Sequence, residues 1–356
     1  MRFAAFVSVG EYFVMRHLFA AIACLLAGLM APAAGADPAP LPHLGTDAQR
    51  TSVSGLSSGG FMAVQYAAAF SKSTIGAGIV AGGPYGCGVL GAVDALACMA
   101  GSGLSPAGSY SLALNYQAFG LIDPLPNTAR QRIYLFHGTA DTTVSAATMA
   151  ALRQFYLDLK VPEANIAYVS AMGANHAFIS DETGNGCKVL AAPFINKCKQ
   201  GRRLYDQPAA ILKQIFGDPP AVGNQLAGDP IAFNQSPFRA PLSSFDDTGY
   251  LYVPARCREA AAHCPVHVVF HGCEQGAGTV GDAVYRQLGY NGWAEIYGLV
   301  MLYPQMAKSQ LMPMNPNGCW DWWGYDGKGP GTFLTRYGTQ LSAVNAMVAE
   351  LAKPAD

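Results

Sequence analysis

The sequence has few charged residues and no concentration of positive charge. Asp, Glu, Lys and Arg make up 13% of the 356 residues, and the formal net charge is −1. A nucleic-acid-binding protein needs a basic patch, so we expect no nucleic-acid partner. The CxxC motif is absent and no histidines have ligand spacing, which argues against a metal site. Internal repeats and low-complexity tracts are also absent. Apolar residues, at 51%, are plentiful enough for a sizeable core.

One apolar run lies near the N-terminus. A short positive region at 15–17 precedes apolar residues at 18–30, and small residues at 34–36 form a cleavage signal. We therefore predict a signal peptide at 1–36, with Met15 as an alternative start. The protein is then expected to be secreted, either outside the cell or into the periplasm.

Two alternatives to cleavage are less favoured. A membrane anchor needs about 20 apolar residues, and this run is shorter. A lipid-modified Cys24 fits poorly because the apolar run continues beyond it. We expect no stable membrane association.

The cysteine content agrees with export. Nine cysteines less Cys24 leave eight, an even number, although eight cysteines allow 105 pairings. Three pairs are close enough in the chain to lie within one loop each, and the last two cysteines remain. The simplest pairing is therefore Cys87–Cys98, Cys187–Cys198, Cys257–Cys264 and Cys273–Cys319.

Strand and helix patterns alternate along residues 37–356, which we interpret as one α/β domain. Such alternation predicts a mostly parallel sheet with helices on both faces. The stretch at about 183–240 breaks the rhythm and is interpreted as an excursion on the sheet. The predicted strands are 51–54, 75–80, 132–136, 165–170, 250–253, 266–270 and 299–303, and the main helices are 61–70, 146–159 and 335–352.

A GxSxG string lies between the first strand and the first helix, with Ser57 at its centre. Strand, sharp glycine turn and helix are the context of a nucleophile elbow, which exposes a serine hydroxyl. A glycine-rich loop without catalytic function is the alternative. The context favours Ser57 as a nucleophile.

An acid and a base follow in the order used by α/β-hydrolases, Ser, Asp, His. Asp141 comes after a buried strand, and His176 follows the next strand in a Gly/Asn loop. His176 would take the Ser57 proton while Asp141 stabilises the imidazolium. Asp141 could instead cap a turn. Asp123 and Asp181 are weaker candidates because neither ends an apolar strand.

The backbone donors for an oxyanion are expected from two loops. One is the Ser58 amide, next to the nucleophile, and the other is the Cys273 amide in His271-Gly272-Cys273. An ordinary α/β-hydrolase has this second loop before the nucleophile, whereas here it comes far after it. The order therefore indicates a circularly permuted α/β-hydrolase. The same loop could also be a plain turn tied by a disulfide.

Three of the four tryptophans fall within four residues, at Trp320, Trp322 and Trp323. Core packing is the usual fate of tryptophan. A loop with adjacent Trp322 and Trp323 cannot easily bury all its rings, so some are expected to line a ligand cleft.

Taken together, these motifs resemble the secreted, single-domain poly(3-hydroxybutyrate) depolymerases, which are circularly permuted α/β-hydrolases. The resemblance covers most of the mature chain. It implies a triad of Ser57, Asp141 and His176, an oxyanion hole from Ser58 and Cys273, and a substrate crevice contacted from the segment with Asn315 and Trp320. The clustering of the tryptophans adds Trp322 and Trp323 as candidate substrate contacts. The resemblance also implies hydrolysis of short-chain polyester through an acyl-enzyme, without a cofactor.

Other functions stay open at this point. A feruloyl or acetyl-xylan type carboxylesterase shares the GxSxG and His-Gly elements, and a non-catalytic surface-binding protein could use the same scaffold. Multi-domain depolymerases carry a separate polymer-binding domain, which we do not find here. Adsorption to polymer would then use the surface of the catalytic domain, and we expect a monomer.

Overall fold

The computed structural model describes residues 38–223, 225–259 and 261–355. The predicted signal peptide at 1–36, the alternative start at Met15 and Cys24 lie outside the described residues. From Pro38 onward the chain forms one compact unit.

An eight-stranded sheet forms the centre of the molecule. Its spatial order is β10-β11-β13-β12-β1-β2-β3-β4. Neighbours from β13 to β4 are parallel, and β10 and β11 are antiparallel at one edge. The mostly parallel sheet predicted from the sequence is confirmed. The strands are β1 (Asp47–Leu56), β2 (Thr74–Val80), β3 (Arg132–Phe136), β4 (Ile166–Val169), β10 (Ile231–Asn234), β11 (Thr248–Tyr252), β12 (Pro265–Phe270) and β13 (Val300–Tyr303).

Helices cover both faces of the sheet. Helix α1 follows β1 directly and is buried along its whole length. No helix in the described ranges is long and apolar enough to cross a membrane. The helices are α1 (Ser58–Ala69), α2 (Ala92–Ala100), α3 (Pro106–Ala118), α4 (Ala146–Asp158), α5 (Gln207–Phe216), α6 (Ala277–Val280), α7 (Tyr290–Tyr297) and α8 (Thr339–Leu351).

Two apolar layers explain why the strands are hydrophobic on both sides. In β12, Val266, Val268 and Phe270 pack into one layer with α1, α3, α4 and α8. Val269 packs into the other, with α5 and α7. Successive side chains of a strand point to opposite faces, so a strand covered on both faces must be apolar at nearly every position.

The excursion at 183–240 is more ordered than the sequence pattern suggested. A small three-stranded sheet consists of β5 (Phe178–Ile179), β6 (Asn185–Gly186) and β7 (Ile195–Lys197), and a hairpin of β8 (Lys199–Gln200) and β9 (Arg203–Leu204) follows. Helix α5 packs on the main sheet, and β10 is its edge strand. The later part of this stretch thus belongs to the main sheet, because β10 pairs with β11.

The two ends of the described chain meet, as a circular permutation requires. Strand β1 pairs in parallel with β12, although more than 200 residues separate them. The amides of Leu44 and Thr46 both donate to the carbonyl of Leu351, at 3.1 Å. The last helix therefore ends where the first strand begins, so cutting and rejoining the chain here leaves the packing intact.

Four disulfides join the same cysteines that the sequence analysis paired. They are Cys87–Cys98, Cys187–Cys198, Cys257–Cys264 and Cys273–Cys319. Three of them close loops of at most 11 residues, while the fourth spans 46. The long one links the segment after β12 to the segment that carries the clustered tryptophans.

Candidate active site

Ser57 lies on a strained corner between β1 and α1. Its backbone has φ 57° and ψ −123°, a conformation that residues other than glycine rarely adopt. A Cβ atom on Gly55 would lie 2.2 Å from the carbonyl oxygen of Gly59, and one on Gly59 would lie 2.3 Å from that of Phe270. The two glycines thus let β1, α1 and β12 approach closely. This geometry is that of a nucleophile elbow.

Asp141 and His176 form a buried pair at the same edge of the sheet. His176 Nδ1 donates to Asp141 Oδ2 at 2.8 Å. The other carboxylate oxygen accepts from the amides of Thr143 and Val144, at 2.8 and 3.0 Å. Burial alone would raise the pKa of Asp141, but the hydrogen bonds from His176 and the two amides outweigh it and lower the pKa. The carboxylate stays ionised and fixes the imidazole so that Nε2 is the free nitrogen.

The loops that carry this pair are joined by backbone bonds. The Thr139 amide donates to Met172 O at 2.7 Å, and the Ala140 amide donates to Ala174 O at 3.0 Å. His137 Nε2 donates to Val144 O at 3.0 Å, which closes the Asp141 loop on itself. His137 therefore orients the loop that carries Asp141.

Asn175 supports His176 from the neighbouring position, and sequence reasoning missed it. Its Oδ1 accepts from the His176 amide at 2.8 Å. Its own amide and its Nδ2 donate to the carbonyls of Cys187 and Lys188, each at 3.0 Å. The disulfide-closed loop at 187–198 therefore holds the histidine loop in place. The signal available in the sequence was an Asn next to a candidate base in a glycine-rich loop.

Two backbone amides near the elbow have no acceptor among the residues that the structure describes. Ser58 is the first residue of α1, so its N–H has no partner within the helix. The Cys273 amide is the second, in the turn after β12. The Cys273–Cys319 disulfide and a 3.3 Å bond from the Trp320 amide to Ser58 Oγ tie both turns to the same segment. Two free N–H groups beside a serine can donate hydrogen bonds to an oxygen that develops negative charge.

The segment after Cys319 is buried more deeply than predicted. Trp320 is 0% exposed and packs edge-on against Phe270, while Trp322 is 5% exposed and stacks on Phe61 at 3.8 Å. Asn315 is also buried and bonds both the N–H and the C=O of Cys319.

Asn315, Trp320 and Trp322 are buried in this structure, and their assignment as substrate contacts remains a prediction. Trp323 is the member of the predicted set that remains partly exposed.

Asp321 organises this segment, and sequence reasoning missed it too. Its Oδ1 accepts from the amides of Gly324 and Tyr325, at 2.7 and 3.1 Å. Burial and the nearby Asp326 raise its pKa to about 7, against the lowering effect of these amides. The Asp321 carboxylate therefore stabilises the backbone turn in which Trp323 lies.

The described ranges contain no group of three or more His, Cys, Asp or Glu side chains that could hold a metal ion. The elements of the site are a serine at an elbow, an imidazole paired with a carboxylate, and free amides. With the permuted sheet they define a serine hydrolase of the α/β-hydrolase fold.

Comparison with known proteins narrows this class. The chain is 39% identical over 317 residues to a poly(3-hydroxybutyrate) depolymerase of Delftia acidovorans, which covers 86% of this chain and 60% of that protein. It is 33% identical over 324 residues to a polyhydroxybutyrate depolymerase of Talaromyces funiculosus, covering 87% and 92%. No family model matches the chain.

Solved structures agree. A PHB depolymerase from Penicillium funiculosum superposes with a TM-score of 0.79 at 33% identity, over 88% of this chain and 98% of that one. An alanine variant of a PHB depolymerase in complex with R3HB trimer superposes equally well, at 32% identity. The chain therefore belongs to the poly(3-hydroxybutyrate) depolymerase family, as the sequence resemblance predicted. It spans about 60% of the length of the Delftia relative.

Proposed function

We propose that this protein hydrolyses poly(3-hydroxybutyrate)-type short-chain polyester through a Ser57 acyl-enzyme. The observation that carries the proposal is the buried His176–Asp141 bond at the sheet edge where Ser57 occupies its strained corner. Family membership supports the substrate class, since a relative of the same fold binds R3HB trimer.

The proposed reaction has two halves. His176 Nε2 takes the hydroxyl proton as Ser57 Oγ attacks the ester carbonyl carbon, and the carbonyl oxygen becomes an oxyanion. The Ser58 and Cys273 amides donate to that oxygen. The intermediate collapses, the C–O bond to the leaving chain breaks, and His176 returns its proton to the departing alkoxide. Water, activated by the same imidazole, then releases the hydroxyacid and restores Ser57.

An apolar surface for the polymer is available on the domain itself. Trp323 packs against the region of the Cys87–Cys98 disulfide, which includes part of α2. Two groups of large apolar side chains are exposed, one on and before α2 and one between β13 and Cys319: Leu90, Val93 and Leu96, and Leu311, Met312 and Met314. A polyester surface carries no charge, and exposed apolar patches mark interaction sites. We propose that these groups and Trp323 adsorb the polymer.

Export is part of the same proposal. Four disulfides are typical of proteins that fold in an oxidising compartment. The predicted signal peptide at 1–36 would direct the chain there. We propose a secreted monomer that meets its polymer outside the cytoplasm.

The test compares Ser57→Ala with the wild type on polyester, on a feruloyl ester and in labelling by a fluorophosphonate. Wild-type protein is expected to clear a suspension of amorphous poly(3-hydroxybutyrate), to release hydroxyacid oligomers or monomers, and to bind a fluorophosphonate at Ser57. The variant is expected to lose at least about a thousandfold in turnover and to take no label. Turnover of a feruloyl ester in place of the polyester would overturn the substrate assignment, and full activity of the variant would overturn the mechanism.

A further inference from the structure

The Gly272–Cys273 peptide is held on both sides by neighbouring side chains. His271 Nδ1 lies 2.7 Å from the carbonyl oxygen of Gly272, and the Gln275 amide also donates to that oxygen at 3.2 Å. The Gly272 amide donates to Gln275 Oε1 at 2.7 Å. The carbonyl of Gly272 is thus bonded to His271 and Gln275, and the amide of Gly272 is bonded to Gln275. These two residues lie on either side of the free Cys273 amide in the chain.

The hydrogen-bond partners determine the tautomer of His271. The Met306 amide donates to Nε2 at 3.1 Å, so Nε2 carries no proton. A carbonyl oxygen only accepts, so the proton lies on Nδ1 and points at Gly272 O. The imidazole is buried completely and faces the ring of Trp320 at 5.7 Å.

This bond sets the direction of the Cys273 donor. The carbonyl of Gly272 and the amide of Cys273 belong to one peptide, which is trans. In a trans peptide the C=O and N–H point in opposite directions, so anchoring the oxygen on one side aims the N–H to the other. A Cβ on Gly272 would lie 3.4 Å from Leu56 O, so the turn lies against the residue that precedes the nucleophile.

Gln275 connects the turn to the disulfide-closed loop at 187–198. Its Nε2 donates to the carbonyls of Pro193 and Phe194, at 2.8 and 3.0 Å. The same loop accepts hydrogen bonds from Asn175 beside His176. One loop therefore supports both the residue next to the base and the turn with the oxyanion donor.

We propose that His271 and Gln275 are positioning residues that clamp the Gly272–Cys273 peptide and keep the Cys273 amide directed at the reaction centre. Neither touches substrate. Without the clamp the peptide can rotate and turn the Gly272 carbonyl toward the site, where it would repel an oxyanion. The inference rests on the proposed function, in which the Cys273 amide is an oxyanion donor.

A pair of His271 variants separates the two bonds of the imidazole. Asn places its side-chain N–H near the position of Nδ1 and keeps the bond to Gly272 O. Gln reaches the position of Nε2 and keeps the acceptor for Met306 instead. We expect His271→Gln to lose about a hundredfold in kcat on a soluble short-chain ester with KM within about twofold, because only the transition state carries the oxyanion. His271→Asn is expected to recover at least about tenfold of that loss.

Gln275→Leu tests the other side of the clamp, with Gln131→Leu as the matched control. Gln131 is equally buried, and its Nε2 also donates to two carbonyls, Ala67 O and Thr74 O, but it lies at the start of β3, at the edge of the sheet opposite the site. Both variants are expected to lower Tm. Only Gln275→Leu is expected to lower kcat, by about ten- to a hundredfold, and to weaken binding of a trifluoromethyl ketone, whose adduct with Ser57 carries an oxyanion.

The outcomes separate a failure of the proposed clamp from a failure of the proposed reaction. Equal kcat for the two His271 variants overturns the clamp, and so does a Gln275→Leu enzyme whose kcat and ketone affinity match those of Gln131→Leu. In either case Ser57→Ala remains inactive. Activity that survives Ser57→Ala contradicts the proposed function instead.

Discussion

The dipeptide His-Gly occurs twice at the same edge of the sheet, and the two histidines make different hydrogen bonds. His137-Gly138 follows β3 and His271-Gly272 follows β12. His137 bonds Val144 O, seven residues away, and closes a loop around the carboxylate. His271 bonds the carbonyl of the very next residue and fixes a single peptide. The dipeptide therefore marks a loop at the catalytic edge, while the bonding partner decides what the histidine does there.

The largest effect is expected in the loop that His137 closes. Asp141→Asn keeps the size of the side chain and can still accept from Thr143 and Val144. Its amide group would face His176 Nδ1 and favour the wrong tautomer. We expect kcat/KM to fall by about 10⁴ with little change in Tm. A loss of less than about tenfold would show that the pair does not act in catalysis.

The oxyanion side is expected to be less sensitive and can be tested through its disulfide. Cys273→Ser with Cys319→Ser should lower kcat by about a hundredfold at a temperature where the protein is folded, because the Cys273 donor is displaced. The chain-entropy model gives this disulfide about 4 kcal/mol of stability.

The control removes Cys257 and Cys264, which close a short loop before β12. The same model gives that bond about 2 kcal/mol, and kcat should stay near the wild-type value. If peptide mapping finds Cys273 or Cys319 free or bonded elsewhere, or if the two double variants lose kcat equally, the coupling between disulfide and oxyanion donor is wrong.

Gly138 and Gly272, the glycines of the two His-Gly pairs, offer the most direct test of the difference between the two loops. A Cβ on Gly138 would lie 2.2 Å from Ala174 O, a backbone atom that cannot move aside without shifting the His176 loop. The nearest atom to a Cβ on Gly272 is Gln275 Oε1, at 3.0 Å. We expect Gly138→Ala to cost about 2–3 kcal/mol in the free energy of unfolding and Gly272→Ala under about 1 kcal/mol. Gly272→Ala should lower kcat in excess of that cost, because it displaces one arm of the clamp. Denaturant unfolding and kcat for both variants settle the matter, and equal costs would contradict the distinction.

The predictable part of the site follows from topology. Ser57, Asp141 and His176 each come after a predicted strand, and parallel strands end at one edge of a sheet, so their order in the chain predicts that they lie at that edge. The structure shows the hydrogen bond between His176 and Asp141. Gln275 had no such signal. Its partners are carbonyls some 80 residues earlier in the chain, and a single glutamine has no local pattern.

The burial of each tryptophan could not be predicted from the sequence. Their clustering was visible, but which rings face the core depends on distant residues. Trp320 is covered by Phe245 and Phe270, and Trp322 lies on Phe61. The residues that follow a strand can thus be predicted from periodicity. Side-chain burial in an irregular segment depends instead on contacts that only the folded chain brings together.

The last expected effect concerns pH and follows from the burial of His271. Burial lowers the pKa of His271 to about 4, whereas an unfolded histidine has a pKa of about 6.5. The folded state thus favours the neutral form, so its stabilising contribution is complete above about pH 6.5 and is lost as the pH falls toward 4, with a slope of up to about 1.4 kcal/mol per pH unit. His267, buried between Ser52 and Ser54, has its pKa lowered to about 3 and adds a similar dependence that both proteins share. We therefore expect the stability difference between wild type and His271→Asn, measured by urea unfolding, to shrink between pH 7 and pH 4.5. A difference that does not change over this range would mean that His271 is not held neutral, and the hydrogen bond from the Met306 amide to Nε2 would have to be reassigned.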